Sequence, residues 1–462
     1  MAPAFDTRIK TLGERHYESP LRLNEIKDDE IGDFVPDGAK IRYQIDVPED
    51  GEVDNETFLE KAGPRRKLFF DPRKTRAAIV TCGGLCPGLN NVIRSAFLEF
   101  YHNYQVREVL GIRYGYRGLT FKGPSPILLT PSIVEDIHRE GGSMLSSSRG
   151  NQSTEEMVDF LVNREIDILI CVGGDGTQRG AHAIAEEVEK RGLPIAVVGV
   201  PKTIDNDIQF VRQTFGYYTA IEEARNVLDC AHCEAKGAPN GIGLVKLMGR
   251  DSGFIAAGAT IASQEVNFTI VPEVPLRLDG PKGFLATLHR RLMERHHAVV
   301  VIAEGAGQDL LKGEDVGVDA SGNKLHADIG IFLRDQIRNY FKEKNTEVNL
   351  KYIDPSYIIR SVPANSHDAR ICDTYARNAV HAALAGKTDC IIGDWYSAFV
   401  HVPIQEAVRS RKKIDRAGDL WTAVLSTTGQ PVSARSSSAS CLSCFTFSFF
   451  ISDGLCILSR YI

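Results

Sequence analysis

The sequence predicts an α/β fold with parallel-rich sheets flanked by helices. Apolar runs of strand length, Ala77–Thr81, Ile166–Val172 and Ile195–Val200, alternate with stretches of helical spacing. Turns rich in glycine follow the strands, and the space beyond the carboxyl ends of parallel strands is where ligands gather. A second strand–helix series begins at Gly243–Leu247 and runs through Ala298–Ala303 to a helix at Asp373–Leu384. Together these features predict two similar Rossmann-like lobes with an active site in the cleft between them.

Taken in order, residues 1–72 read as a polar extension with few periodic apolar stretches. An α/β lobe spans about 73–240. It opens with the buried strand Ala77–Thr81 and the turn Gly83–Gly88, then a helix at Asn90–Tyr101 carrying Val92, Ile93, Ala96, Phe97 and Phe100 at helical spacing. Glu108–Ile112 is the next strand. Thr130–Glu135 starts a helix, with Ser132 and Glu135 spaced as a capping box. Helices at Met157–Val162 and Gly180–Lys190 flank the strand Ile166–Val172. A second lobe covers 241–431, with elements crossing between lobes. Residues 432–462 are a Ser-, Cys- and Phe-rich tail expected to be unstructured.

Composition narrows the function classes. A net charge of −6 lacks the basic footprint of nucleic-acid or anionic-membrane binding, and no apolar run reaches the roughly 20 residues that span a bilayer. The N-terminus lacks a signal-peptide core and the Arg/Ser-rich, acid-poor character of a transit peptide, and the ten cysteines are scattered. Reduced thiols in the cytosol are the expectation. Cys230-Ala-His-Cys233 has metal or redox spacing, but no second ligand pair lies nearby, so it reads as two ordinary thiols on a helix.

Two segments carry the chemistry. Gly173-Gly-Asp-Gly-Thr177 and Pro201-Lys-Thr-Ile-Asp-Asn-Asp207 each follow a strand. In the first, the glycines let backbone N–H groups approach a polyphosphate, and Asp175 can hold a divalent cation. In the second, Asp205 or Asp207 can take a hydroxyl proton. In this order the pair points to phosphoryl transfer onto a sugar phosphate. Gly83–Gly88, between a strand and a helix, suits a phosphate. Arg149, after Gly141-Gly142 and three serines, presents a cation. Met248-Gly249-Arg250 ends the strand that begins near Gly243, where a cation stabilises a transferring phosphoryl group. Glu304 can accept from sugar hydroxyls, and Arg360, near Tyr357, can clamp a second phosphate.

These segments resemble the phosphofructokinase family, in its ATP-dependent branch of plants and trypanosomatids. The likeness covers about residues 75–431. It rests on G-G-D-G-T-Q-R-G at 173–180, P-K-T-I-D-N-D at 201–207, K-L-M-G-R-D-S-G-F at 246–254, A-E-G at 303–305 and Y-x-x-R at 357–360. The resemblance implies ATP contacts from Gly83, Arg149, Gly150, Gly174, Asp175, Gly176 and Thr177, with Asp175 on Mg²⁺. It implies that Thr203, Ile204 and Asp205 face fructose 6-phosphate, with Asp205 as the base for the 1-hydroxyl. Met248, Gly249 and Arg250 would bind the sugar, Arg250 also bracing the transferring phosphate, and Glu304, Tyr357 and Arg360 would complete the site.

The same resemblance implies a homotetramer, allosteric control and the committed step of glycolysis. Pyrophosphate-using relatives carry Asp in place of Gly176, which would repel the nucleotide α-phosphate, so glycine favours ATP. Lys202 is shared with those relatives. Gly241 stands where bacterial members place an arginine donated to a neighbouring subunit's sugar phosphate. Arg94 remains from the bacterial effector site, whereas a second arginine of that site is Leu98 here. The alternatives are a pyrophosphate-dependent phosphofructokinase and a catalytically impaired regulatory subunit. Retention of Asp175, Asp205 and Arg250 argues against the latter.

Overall fold

The computed structural model describes residues 5–26, 29–47, 49, 57–148, 150, 152–311, 317 and 326–431. The tail expected over 432–462 lies outside the described residues, as does Arg149. Five strands form the parallel centre of the larger sheet, in the order Cys390–Trp395, Ala196–Pro201, Ile168–Gly173, Arg76–Thr81, Glu108–Ile112. Ile168–Gly173 and Ala196–Pro201 are buried at every position, which is why they read as continuous apolar runs and not as alternations. Antiparallel strands extend the sheet to nine: Ala398–Pro403, Phe58–Lys61 and Lys40–Arg42 on one side, Ile127–Leu128 on the other.

A smaller sheet of four parallel strands runs Phe268–Ile270, His297–Ala303, Gly241–Leu247, Asn349–Ile353. Its side chains alternate between two cores, as the two-residue strand period requires. Val245, Leu247, Val299 and Val301 join the large core that also holds Ile79, Val92, Ile170, Val198 and Ala224. Ile242, Leu244, Val300 and Ile302 join a smaller one with Leu288 and Leu292 of helix Phe284–Arg295 and Leu333 and Ile337 of helix Ile329–Glu343. Residues up to Gln430 thus form one unit containing both sheets.

Several elements differ from the sequence reading. The helix expected at Asp373–Leu384 runs from Ser366 to Leu384 and serves the larger sheet: Tyr375, Ala379 and Val380 lie in the large core, and the Tyr104 hydroxyl is 2.8 Å from His381 Nδ1. The strands that follow it, Cys390–Trp395 and Ala398–Pro403, return to that sheet. A chain that crosses back leaves no mark in local periodicity.

The stretch 1–72, read as a polar extension, supplies two strands to the larger sheet and pairs Lys10–Thr11 with Lys387–Thr388. Strands of two to four residues are too short to show a period. One polar residue among them has a buried partner: Arg65, 2% exposed, donates to Glu60 of the strand Phe58–Lys61 at 2.9 Å. The short helix Pro131–Val134 is capped by Thr130, whose hydroxyl accepts from the Ile133 amide at 3.3 Å, and not by Ser132. Proline at the first helical position sets that start two residues earlier.

Candidate active site

The glycine-rich turn after Ile168–Gly173 does not remain a loop. The helix begins at Asp175 and runs to Lys190, five residues earlier than its apolar periodicity begins, with Gly174 as an extended N-cap. Asp175 therefore sits at the first position of a sixteen-residue helix, where free N–H groups and the helix dipole favour anions. A Cβ on Gly173 would lie 2.2 Å from the Thr177 hydroxyl oxygen, so this glycine is required for packing. A Cβ on Gly176 would meet no atom within 4 Å. Thr177 is buried, and its carbonyl accepts from the Tyr116 hydroxyl at 2.6 Å.

Gly83 follows the neighbouring strand with φ +85°, a conformation that suits glycine, and its Cβ would stand 3.2 Å from Lys202 Nζ. Lys202 is buried, donates to the Gly84 carbonyl at 2.8 Å, and burial lowers its proton affinity. Gly150 has φ +110°. The Ser147 hydroxyl, in the same loop, donates to the Gly83 carbonyl at 2.5 Å. Gly83, Gly174, Thr177 and Lys202 are thus brought together at the ends of three adjacent parallel strands.

The third of those strands ends in the 203–207 turn. Thr203 Oγ1 accepts from the Asp205 amide at 3.0 Å, and Ile204 is buried beneath. Burial pushes the Asp205 carboxyl well above the ordinary carboxylate range; Asp207 and Glu304 push it further, while Arg250 and Lys202 oppose them. Burial also raises Asp207, chiefly opposed by Arg411. Asn206 has φ +54°, held by its side-chain oxygen, which accepts from the Thr214 amide at 3.0 Å and Lys412 Nζ at 3.2 Å.

The smaller sheet faces this turn with its own strand ends. Ser252 Oγ donates to the Asp205 carbonyl at 3.1 Å. Gly249 (φ +143°) and Arg250 (φ +44°) form a tight turn after Gly241–Leu247, closed by Ser252 N donating to the Gly249 carbonyl at 2.7 Å. Glu304 Oε1 accepts from the Arg250 amide at 2.8 Å, and a Cβ on Gly305 would lie 1.7 Å from the Arg250 carbonyl oxygen. The A-E-G segment therefore shapes the M-G-R turn, a role its spacing did not suggest. Met248 is half-buried against the large core. Arg360 lies close enough to Lys202 to lower its proton affinity. Tyr357, 74% exposed, has the Arg360 guanidinium 5.0 Å over its ring.

A family model for phosphofructokinase matches residues 76–383. The chain belongs to the phosphofructokinase family. It is 48% identical over 439 residues to the "ATP-dependent 6-phosphofructokinase" of Borreliella burgdorferi, covering 93% of this chain and 98% of that one. It is 43% identical to "ATP-dependent 6-phosphofructokinase 7" of Arabidopsis thaliana, over 90% of this chain and 85% of that one. The solved structure of a pyrophosphate-dependent phosphofructokinase from Marinobacter aquaeolei shares the fold, with a TM-score of 0.63 at 19% identity, covering 78% of this chain and 92% of that one.

Two cations near these turns carry no motif of their own. Arg411 Nη1 lies 2.9 Å from Oδ2 of Asp251, which follows Arg250. Lys412 donates to the carbonyls of Val211 at 2.7 Å and Arg212 at 3.1 Å, and burial pushes it down to about 8. The signal was the cationic run Arg409–Lys413, which resembles any solvated face. A Cβ on Gly241 would sit 2.0 Å from the Ala235 carbonyl oxygen, so this position has no room for a side chain. Cys230 and Cys233 are exposed free thiols on the helix Tyr217–Lys236, and no metal-binding cluster of three or more His, Cys, Asp or Glu occurs among the described residues. No described helix is long and apolar enough to cross a membrane.

Proposed function

We propose that this phosphofructokinase moves the γ-phosphoryl group of ATP to the 1-hydroxyl of D-fructose 6-phosphate, giving fructose 1,6-bisphosphate and ADP, the committed step of glycolysis. The observation that carries this reading is Asp205: a carboxyl of raised proton affinity where the glycine-rich strand ends of the larger sheet meet the Gly249–Ser252 turn. The names of relatives at 43–48% identity support ATP as donor. So does the open space at Gly176, where no backbone or packing requirement explains the glycine.

Chemistry here is positioning and charge neutralisation for an in-line transfer. Gly83, Arg149, Gly150, Gly174, Gly176 and Thr177 bind the nucleotide. The residues present fit Mg²⁺·ATP: Asp175 offers one carboxylate at a helix N-terminus, which suits a cation whose remaining ligands are water and phosphate oxygens. Bound there, Mg²⁺ would neutralise charge on the β- and γ-phosphates. Thr203, Ile204, Met248, Gly249, Glu304, Tyr357 and Arg360 bind and orient the sugar phosphate. Asp205 takes the proton of the 1-hydroxyl as the new bond forms, and its raised proton affinity lets it hold that proton near neutral pH. Arg250 braces the transferring group. In this reading residues 73–240 form the nucleotide lobe and 241–431 the sugar-phosphate lobe of a cytosolic homotetramer.

Lys202, buried beside Gly83, favours a second reading, with pyrophosphate as donor. Initial rates of fructose 1,6-bisphosphate formation with Mg²⁺·ATP and with Mg²⁺·pyrophosphate distinguish the two. The expected outcome is turnover with ATP and at most traces with pyrophosphate; the reverse order would transfer the assignment to the second reading.

A further inference from the structure

Beyond the residues assigned above lies one cation that touches three parts of the site. The Arg411 guanidinium is 2.9 Å from Asp251, 3.7 Å from Asp207 and 3.9 Å from Asp175. Those carboxylates come from three elements: the turn after Gly241–Leu247, the loop after Ala196–Pro201, and the first residue of helix Asp175–Lys190. Arg411 arrives from none of them. It follows the strand Ala398–Pro403, more than 200 residues along the chain from Asp175 and Asp207.

Its segment is fastened on both sides. Arg179 donates to the Val408 carbonyl at 2.9 Å, and a bridge joins Arg411 to Ile208. The Lys412 amide donates to the Asp207 carbonyl at 2.8 Å, and the Ile414 amide to Glu273 Oε1 at 3.1 Å. Glu273 Oε1 also accepts from the Gly253 amide at 3.1 Å, so one carboxylate oxygen ties this segment to the turn that carries Asp251. Arg179 pairs with Asp175 along its own helix at 3.2 Å, and His326 Nε2 stands 3.2 Å from Asp251. Arg411 alone among these cations reaches all three carboxylates.

We propose that Arg411 is a positioning residue for phosphoryl transfer: a shared counter-ion that holds Asp175, Asp207 and Asp251 in register between the two sheets. This rests on the functional reading above. A guanidinium suits the task because its five N–H donors form a rigid fork that stays charged. Three carboxylates so close would otherwise repel one another and drift apart. Only the 2.9 Å contact is a hydrogen bond. At 3.7 and 3.9 Å the other two act through charge, so Asp175 remains available to a cation and Asp207 to the transfer loop.

The test uses the full chain with Arg411→Gln and Arg411→Lys. It reads kcat and KM for both substrates, Mg²⁺·ADP affinity by calorimetry, and the thermal midpoint. Displacement of the reacting groups by about 1 Å costs roughly 10²-fold, so R411Q is expected to lose about that much kcat. Each KM and the Mg²⁺·ADP affinity should stay within about threefold of native, the signature of an effect on the transfer step. R411K should recover about tenfold of the loss, since it restores charge without the fork. Native-like turnover in R411Q overturns the proposal, as does an R411K chain no faster than R411Q, or binding constants that fall as far as kcat. Should R411Q fail to fold, R411K and Asp251→Asn decide: both turning over like the native chain would overturn it. A native chain that makes no fructose 1,6-bisphosphate overturns the functional reading itself. An active native chain with an indifferent Arg411 overturns this inference alone.

Discussion

The glycines on the two sides of the cleft are there for different reasons. On the larger-sheet side, Gly176 faces open space, and a side chain there would strike nothing in the protein. On the smaller-sheet side, Gly305 touches the Arg250 carbonyl so closely that a single added carbon would overlap it at 1.7 Å. One glycine is bare although the fold leaves room for a side chain; the other is bare because the fold has no room. Asp205 is tied to the smaller-sheet side by the Ser252 hydroxyl, and in the proposed reaction it needs both sides in place.

The sharpest break of this comparison is at Asp205. Asp205→Asn keeps the shape and removes the proposed base, so kcat should fall by about 10²–10⁴-fold while fructose 6-phosphate binding, read by calorimetry, is retained. Near-native turnover would remove Asp205 from the mechanism. In the native enzyme the raised proton affinity places the acid limb of the kcat/KM profile well above the pH of about 4 expected of an ordinary carboxylate. Activity is present above that limb and lost as pH falls through it, and an acid limb near pH 4 would contradict the burial argument.

Gly176→Asp is the next largest. A carboxylate set against a phosphate costs several kcal/mol, so ATP affinity should drop about 10²-fold with the thermal midpoint unmoved. A fall in stability without a fall in ATP affinity would reverse the reading of this position. Gly305→Ala tests the opposite side. Overpacking should cost at least about 1–3 kcal/mol in a denaturant titration, because the neighbour it meets is backbone. An alanine variant as stable as native would show that the Arg250 turn can shift freely.

How much was legible beforehand varied with the span of sequence over which each feature is written. The central strands were plain because parallel strands buried on both faces are apolar at every position. The glycine–aspartate segments were plain because their chemistry is contiguous. The start of helix Asp175–Lys190 was not, since its first turn contains Gly176 and polar residues that carry no apolar period. The short strands near the N-terminus were not legible either, because two to four residues cannot show a period. Glu304 stood out in the sequence as a candidate, but its bond to the Arg250 amide did not, because that contact joins residues 54 positions apart.

By itself, then, the sequence determined the α/β class, the phosphate-directed turns and the paired segments that point to phosphoryl transfer onto a sugar phosphate. Local composition suffices for these, because strand burial and backbone access to an anion are properties of a few consecutive residues. Only the tertiary structure decided which side of the molecule each late element serves. It returned Cys390–Pro403 to the larger sheet, and with that strand pair it delivered Arg411 to Asp175, Asp207 and Asp251. The physical reason is topological: Arg411 reaches these three elements from a fourth, and chain crossing leaves no periodic trace.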